Sequence, residues 1–257
     1  MRPIEIFYHV FIPADLRAGL WAWWIDNQLS LIRQSGLSEI GSVKICLTMP
    51  ADWTETFGQP IMSTGFPINI PYPITFSEKI KEYISLRYPF AEVVDVRNVT
   101  EPNIFEGQTL SFMHKRCQEV DVDVLYIHTK GVANANVNTS NWREVLNYFM
   151  IKQWPRCVKN LEDNDVVALK DARTFDKIVS GNFWWSKSSY IKTLPEPIQS
   201  NLYLPNEPHL HPGEPTYRYA FEYWIMANSP KVEYLFDTNT DHYGSYFFVE
   251  NLPKEHR

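Results

Sequence analysis

The run Asp121-Val122-Asp123-Val124-Leu125-Tyr126-Ile127-His128-Thr129-Lys130-Gly131 decides how this chain is read. Residues 124–128 are almost continuously apolar and rich in β-branched and aromatic side chains, and then four polar or turn-forming residues follow at once. A short apolar run without alternation is the pattern of a strand covered on both faces, which belongs in a parallel sheet sandwiched by helices. Working outward, similar runs occur at 4–12, 43–49, 91–96, 166–170 and 232–236. Helical spacing fills most of the gaps between them. Alternation of strand and helix predicts an α/β fold with a mostly parallel sheet flanked by helices.

The first helix is expected to begin with Asp15 as its cap and to place Leu16, Leu20, Trp24 and Leu31 on one face, with Gly36 supplying the left-handed residue after its end. A second helix spans 77–88 and stops before Pro89; a third spans 107–120, with Leu110, Met113, His114 and Cys117 three or four apart. Beyond residue 131 the rhythm becomes irregular. A polar loop, 132–140, leads to a helical pattern over 141–161 that Pro155 kinks or restarts. Residues 180–194 read as a further strand and turn, 195–215 as a proline-rich loop, and 217–228 as a last helix. The expectation is a single domain over 1–257, with a regular half, 1–131, and an irregular half, 132–257.

Composition removes several classes of protein. The 257 residues carry 24 Lys and Arg against 30 Asp and Glu, a net charge of −6, so there is no surplus of cations to neutralise a nucleic-acid backbone. The longest apolar stretches fall far short of the roughly 20 residues that span a bilayer, and the chain runs from Arg2 directly into a strand, so neither a transmembrane segment nor a signal peptide is expected. Cys46, Cys117 and Cys157 are scattered, which fits a reducing cytoplasmic setting better than a disulfide framework or structural zinc. Ten glycines are about half the usual share, and none forms a GxG, so a dinucleotide fingerprint and a P-loop are both missing. Neither HExxH nor GxSxG occurs.

Ligands of open parallel sheets sit beyond the carboxyl ends of the strands. That rule points to His9 after the first strand and to His128, Thr129, Lys130 and Gly131 after the fourth, where an imidazole, a hydroxyl, a compact cation and a flexible turn suit a diphosphate. The third helix opens nearby with Glu106-Gly107-Gln108-Thr109, and its free N–H groups favour an anion. Ser180-Gly181-Asn182-Phe183-Trp184-Trp185 sets hydrogen-bonding groups beside two rings; alternation allows at most one of the two tryptophans to line a pocket. Glu222 lies among Phe221, Tyr223 and Trp224, where desolvation poises a carboxylate as a general base unless Arg218 pairs with it. Asp121 and Asp123 precede the strand, at the wrong end of the sheet, and read as solvated carboxylates. His209 and His211 lack a third ligand for zinc.

These residues together resemble nucleotide-sugar-dependent glycosyltransferases of the GT-A architecture, particularly a branch of bacterial and large-virus polysaccharide enzymes with a strand ending in HTKG. The resemblance implies a Rossmann-like GT-A fold in which 1–131 holds the nucleotide-sugar donor and 132–257 the glycan or polysaccharide acceptor. It implies donor contacts from His9, Gln108, Thr109, His128, Thr129, Lys130 and Gly131, and sugar contacts from Ser180, Gly181, Asn182, Trp184 and Trp185. Glu222 matches the base of inverting members, and His242 the position of a C-terminal metal or diphosphate ligand. GT-A enzymes usually hold Mn²⁺ or Mg²⁺ with a DxD motif, whereas this chain has His128-Thr129-Lys130 there, so a metal-independent reaction with Lys130 supplying the charge is equally compatible. Two rival readings are a carbohydrate-binding protein that has lost catalysis and a sugar nucleotidyltransferase. The second calls for a glycine-rich loop after the first strand, where this chain has Val10-Phe11-Ile12-Pro13-Ala14.

Overall fold

The first strand, β1 (Ile4–Phe11), is the centre from which the sheet grows, because its apolar side chains are buried on both faces. In the computed structural model, which describes residues 2–13, 20–50, 75–99, 106–132, 136–170, 178–198, 219–237 and 249–252, it pairs in parallel with β2 (Gly41–Pro50) and with β4 (Asp123–His128). β3 (Ala91–Val99) lies outside β2, also parallel. On the other side come β6 (Trp184–Lys187), β5 (Val166–Lys170) and β7 (Val232–Asp237), giving a seven-stranded sheet of order β3-β2-β1-β4-β6-β5-β7. β6 runs antiparallel to both neighbours while β5 and β7 are parallel. The chain is therefore an α/β protein with a mostly parallel, Rossmann-like sheet.

Pleating divides the sheet's side chains between two cores. Leu125 and Ile127 of β4 join Ile6 and Tyr8 of β1 beneath α1 (Leu20–Gln34), α2 (Phe76–Arg87), α4 (Val137–Asn147) and α5 (Trp154–Asn160). Val124 and Tyr126 join Phe7 beneath α3 (Gly107–Glu119), α6 (Ser188–Ile191) and α7 (Tyr219–Trp224). Both faces are thus covered by apolar helix surface, the condition that lets a parallel sheet stay dry.

Several helix details differ from the sequence pattern, each for a local reason. The buried stripe of α1 is Trp21, Trp24, Ile25, Gln28, Leu29 and Ile32, leaving Leu20 about half exposed, so the helix is rotated relative to the expected face. Asp15 lies outside the described residues; Gly36 has the expected left-handed φ of 75°. α4 begins four residues early because the Asn136 side chain accepts from the Thr139 N–H and caps it. The break in the long 141–161 pattern falls at a wide π-turn over Tyr148–Lys152 rather than at Pro155, which sits in the first turn of α5 where its missing N–H is tolerated. α7 ends at Trp224, short of 228, and Ser229 turns the chain with a φ of 50°. Asp123, expected to be solvated, is 3% exposed and accepts from Arg2 Nε at 2.9 Å, tying the amino end of β4 to the strand beside it. Asp121 is exposed. No helix among the described residues is long and apolar enough to cross a membrane.

Candidate functional site

His9 and His128 are register partners on the adjacent strands β1 and β4, so both side chains emerge at the carboxyl end of the sheet on the face covered by α3 and α7. They sit side by side and are nearly fully buried. Nδ1 of His9 lies 2.9 Å from Oγ1 of Thr109, the third residue of α3. Nε2 of His128 lies 3.0 Å from the carbonyl oxygen of Gly181, which can only accept; this fixes the tautomer with the proton on Nε2. Burial pushes His9 down to about 4, partly opposed by Glu106. It pushes His128 to about 3, with the Lys130 ammonium adding to the effect. Both rings are neutral at pH 7.

A carboxylate that the sequence placed at the opening of the third helix, without a role of its own, organises this end of the sheet. Glu106, the residue before α3, accepts from the Tyr126 hydroxyl at 3.2 Å and from the Asn182 amide, and its Oε1 is 3.4 Å from His128 Nδ1. Asn182 in turn accepts from Trp184 Nε1 at 2.9 Å. The advance signal was Glu106's place at a helix start near the end of the fourth strand, and nothing local showed that the 180–182 turn would meet it there. Desolvation, reinforced by Glu106 and to a smaller degree by Cys46 and Glu222, raises the Tyr126 phenol.

Glycine explains how α7 comes so near. A Cβ on Gly107 would lie 2.6 Å from the Phe221 ring, so the missing side chain lets α7 rest directly on the start of α3. α7 also contacts the turn over Ser180–Asn182, where Gly181 (φ 76°) and Asn182 (φ 51°) are both left-handed. That sharp turn aims the Gly181 carbonyl at His128 and the Asn182 amide at Glu106. Glu222, half-buried, lies on α7 next to Phe221.

The end of β4 is tightly held. The Thr129 N–H donates to the His9 carbonyl at 3.0 Å, and the Thr129 hydroxyl accepts from the Phe11 N–H at 3.0 Å, extending the sheet by one rung. Lys130, 8% exposed, precedes Gly131 with its φ of 84°; a Cβ on Gly131 would lie 2.4 Å from Thr139 Cγ2 of α4.

Other expected site residues are committed elsewhere. Gln108 accepts from Thr48 at 3.1 Å and donates to Asp95 at 2.6 Å, and Thr109 holds His9, so both tether α3 to the sheet. The tryptophans of the 184–185 pair, expected to contact a sugar with at most one lining a pocket, both pack into the core among the described residues. Both are fully buried, Trp184 stacked on Tyr126 with ring centroids 5.1 Å apart, Trp185 in the opposite core with its indole N–H donating to the Met150 carbonyl at 2.8 Å. Alternation does send them to opposite faces, but helices cover both. Asp241, His242, Arg218, His209 and His211 lie outside the described residues, as does the side chain of Ser180. Among the described residues no group of three or more His, Cys, Asp or Glu side chains could hold a metal ion.

Two buried neutral histidines give a pH signature with a definite sign. Each is neutral when folded and has its ordinary pKa near 6.5 when unfolded, so between about pH 6.5 and 4 the unfolded chain binds protons that the native one does not. Stability is expected to fall as the pH is lowered through that window. Urea midpoints measured from pH 7 to 4 test this, and His9→Gln, if it folds, should flatten the dependence.

The fold defines a mostly parallel α/β protein, with a buried polar cluster at the carboxyl ends of β1 and β4. The chain belongs to the family described as Domain of unknown function (DUF8361), whose model matches residues 77–233 and so takes in β4, the 180–182 turn and α7. No curated protein matches the chain in sequence. Its structure is similar, at a TM-score of 0.36 and 11% identity, to a crystal structure from Desulfovibrio desulfuricans G20 named provisionally as a nucleotide-diphospho-sugar transferase, over 94% of this chain and 83% of that one.

Proposed function

We propose that the protein is a glycosyltransferase that moves a sugar from a nucleotide-sugar donor to a hydroxyl of a glycan acceptor, with inversion at the anomeric carbon. The observation that carries the reading is that Glu106, bonded to Tyr126 and Asn182, and the strand end bearing Lys130 lie together at the carboxyl ends of β1 and β4, while α7, which carries Glu222, rests on the start of α3. A general base on one side and a cation for the leaving group on the other are what a single displacement needs. The resemblance of the HTKG strand end and the Phe221-Glu222 pair to such enzymes points the same way.

In the reaction, Glu222 takes the proton of the acceptor hydroxyl as its oxygen bonds to the anomeric carbon. The bond from that carbon to the diphosphate oxygen breaks, and the electron pair leaves with the nucleoside diphosphate. Lys130 neutralises the charge that develops there. His128 has its Nε2–H committed to Gly181 and is neutral, so it orients the 180–182 turn and does not act as a second cation. Hard ions such as Mg²⁺ take carboxylate and other oxygen donors. The imidazole, hydroxyl and ammonium ending β4 do not fit one, and no step here runs through a metal.

Lys130→Ala should weaken UDP or GDP binding at least tenfold by calorimetry while the melting temperature stays near that of the wild type. Unchanged affinity would remove Lys130 from the diphosphate. The function itself is tested by incubating the protein with a panel of UDP-, GDP- and TDP-sugars and watching for nucleoside diphosphate. Pyrophosphate release from a nucleoside triphosphate and a sugar phosphate would instead indicate a nucleotidyltransferase.

A further inference from the structure

Arg143 of α4 is a buried cation whose charge the described residues leave without a counter-ion. The residue is 3% exposed, yet among the described residues it forms no ion pair. Its Nη1–H donates to the Lys130 carbonyl at 2.8 Å, and its Nε–H, fully enclosed, has no hydrogen-bond partner. The guanidinium lies over the ring of Trp24, 4.4 Å from its centroid, and 5.6 Å from that of the half-exposed Trp23. Its electrostatic neighbours are the phenol of Tyr8, kept protonated by burial, and the exposed Glu144 next along the helix.

A buried charge without a close partner is costly, and side-chain stacking recovers only part of that cost. Most buried arginines are paired, so an orphan one joined to the backbone of a second cation calls for an anion from outside. Its place supports this. The carbonyl it grips belongs to Lys130, the left-handed Gly131 follows, and Thr139 of the same helix closes over that turn. α4 therefore brings one buried positive charge up against the strand end that carries another.

We infer that Arg143 is the second cation of an anion site whose first is Lys130, and that the ligand is a diphosphate group. The inference rests on the diphosphate-facing role given to Lys130 above. In a low-dielectric setting a fixed guanidinium attracts a polyanion without having to touch every oxygen, and the anion supplies the compensation that folding did not. The site is then only fully stable when filled.

Calorimetric titration with pyrophosphate and with UDP, together with melting temperatures at rising pyrophosphate, tests this on the whole chain. Wild-type protein is expected to bind both and to be stabilised by pyrophosphate. Arg143→Gln should lose at least tenfold in affinity for both and show little pyrophosphate-dependent rise in melting temperature. Should that variant fail to fold, Arg143→Lys carries the test, because it keeps the charge and is expected to bind within about fivefold of the wild type. Wild-type affinity in a folded Arg143→Gln, a tenfold loss in a folded Arg143→Lys, or no binding of either probe by the wild type would each overturn the inference. Binding that depends on Arg143 in a protein that cleaves no nucleotide sugar would sink sugar transfer and leave the anion site standing. Sugar transfer with unaltered UDP affinity in Arg143→Gln would do the reverse.

Discussion

Glu222→Gln is expected to fold, to bind nucleoside diphosphate with wild-type affinity, and to lose roughly 10²- to 10⁴-fold in sugar transfer, the usual contribution of a positioned general base. The change swaps one oxygen for an NH₂ group and keeps shape, so α7 should still rest on Gly107 through Phe221. What disappears is the ability to accept the acceptor's proton. The split between binding and turnover is the diagnostic part, since a residue that only held the site together would weaken both. Steady-state rates alongside calorimetry of UDP separate the cases. Turnover close to that of the wild type would take Glu222 out of the chemistry and turn attention to Glu106, the other carboxylate near Tyr126.

Trp185→Ala is expected to cost about 3 to 5 kcal/mol of folding stability, a large share of what a domain of this kind has. Trp185 fills the core between β6 and the helices on its side, fully enclosed, and its indole N–H satisfies the Met150 carbonyl at the π-turn after α4. Truncation leaves a cavity and an unpaired buried carbonyl together. Urea unfolding with an unchanged m-value would show the loss cleanly. A change below about 1 kcal/mol would mean that the ring is not part of the core, and would reopen the possibility that it faces a sugar.

The strands were legible because burial on both faces leaves an unmistakable mark. All six apolar runs became strands within a few residues of their expected ends, and the 180–194 segment supplied the seventh. The direction of that seventh strand was not legible. Trp184–Lys187 has the same residue character whichever way it runs, and only its neighbours β4 and β5 make it antiparallel. Helix faces were less certain where aromatic residues crowd, as in α1, because Leu20, Trp21, Trp23 and Trp24 offer more apolar positions than one face can bury.

The carboxyl-end rule directed attention to His9 and the 128–131 turn, and residue character to the start of the third helix and residues 180–182. It did not say which of those groups would spend their hydrogen bonds inside the protein. Gln108 and Thr109 became tethers, His128 became an orienting group, and both tryptophans became core. Glu106 and Arg143 emerged only from long-range packing, since the partners that define them lie 20 to 76 residues away in one case and 13 or more in the other.

The amino-acid sequence alone determined an α/β protein with a mostly parallel sheet, because strand burial and turn residues are written in local pattern. Tertiary structure alone decided that Glu106 meets Tyr126, His128 and Asn182, that α7 rests on the start of α3, and that Arg143 is buried behind Lys130. The physical reason is that a charge's partners and its dielectric surroundings are properties of the packed chain, and no stretch of residues carries them by itself.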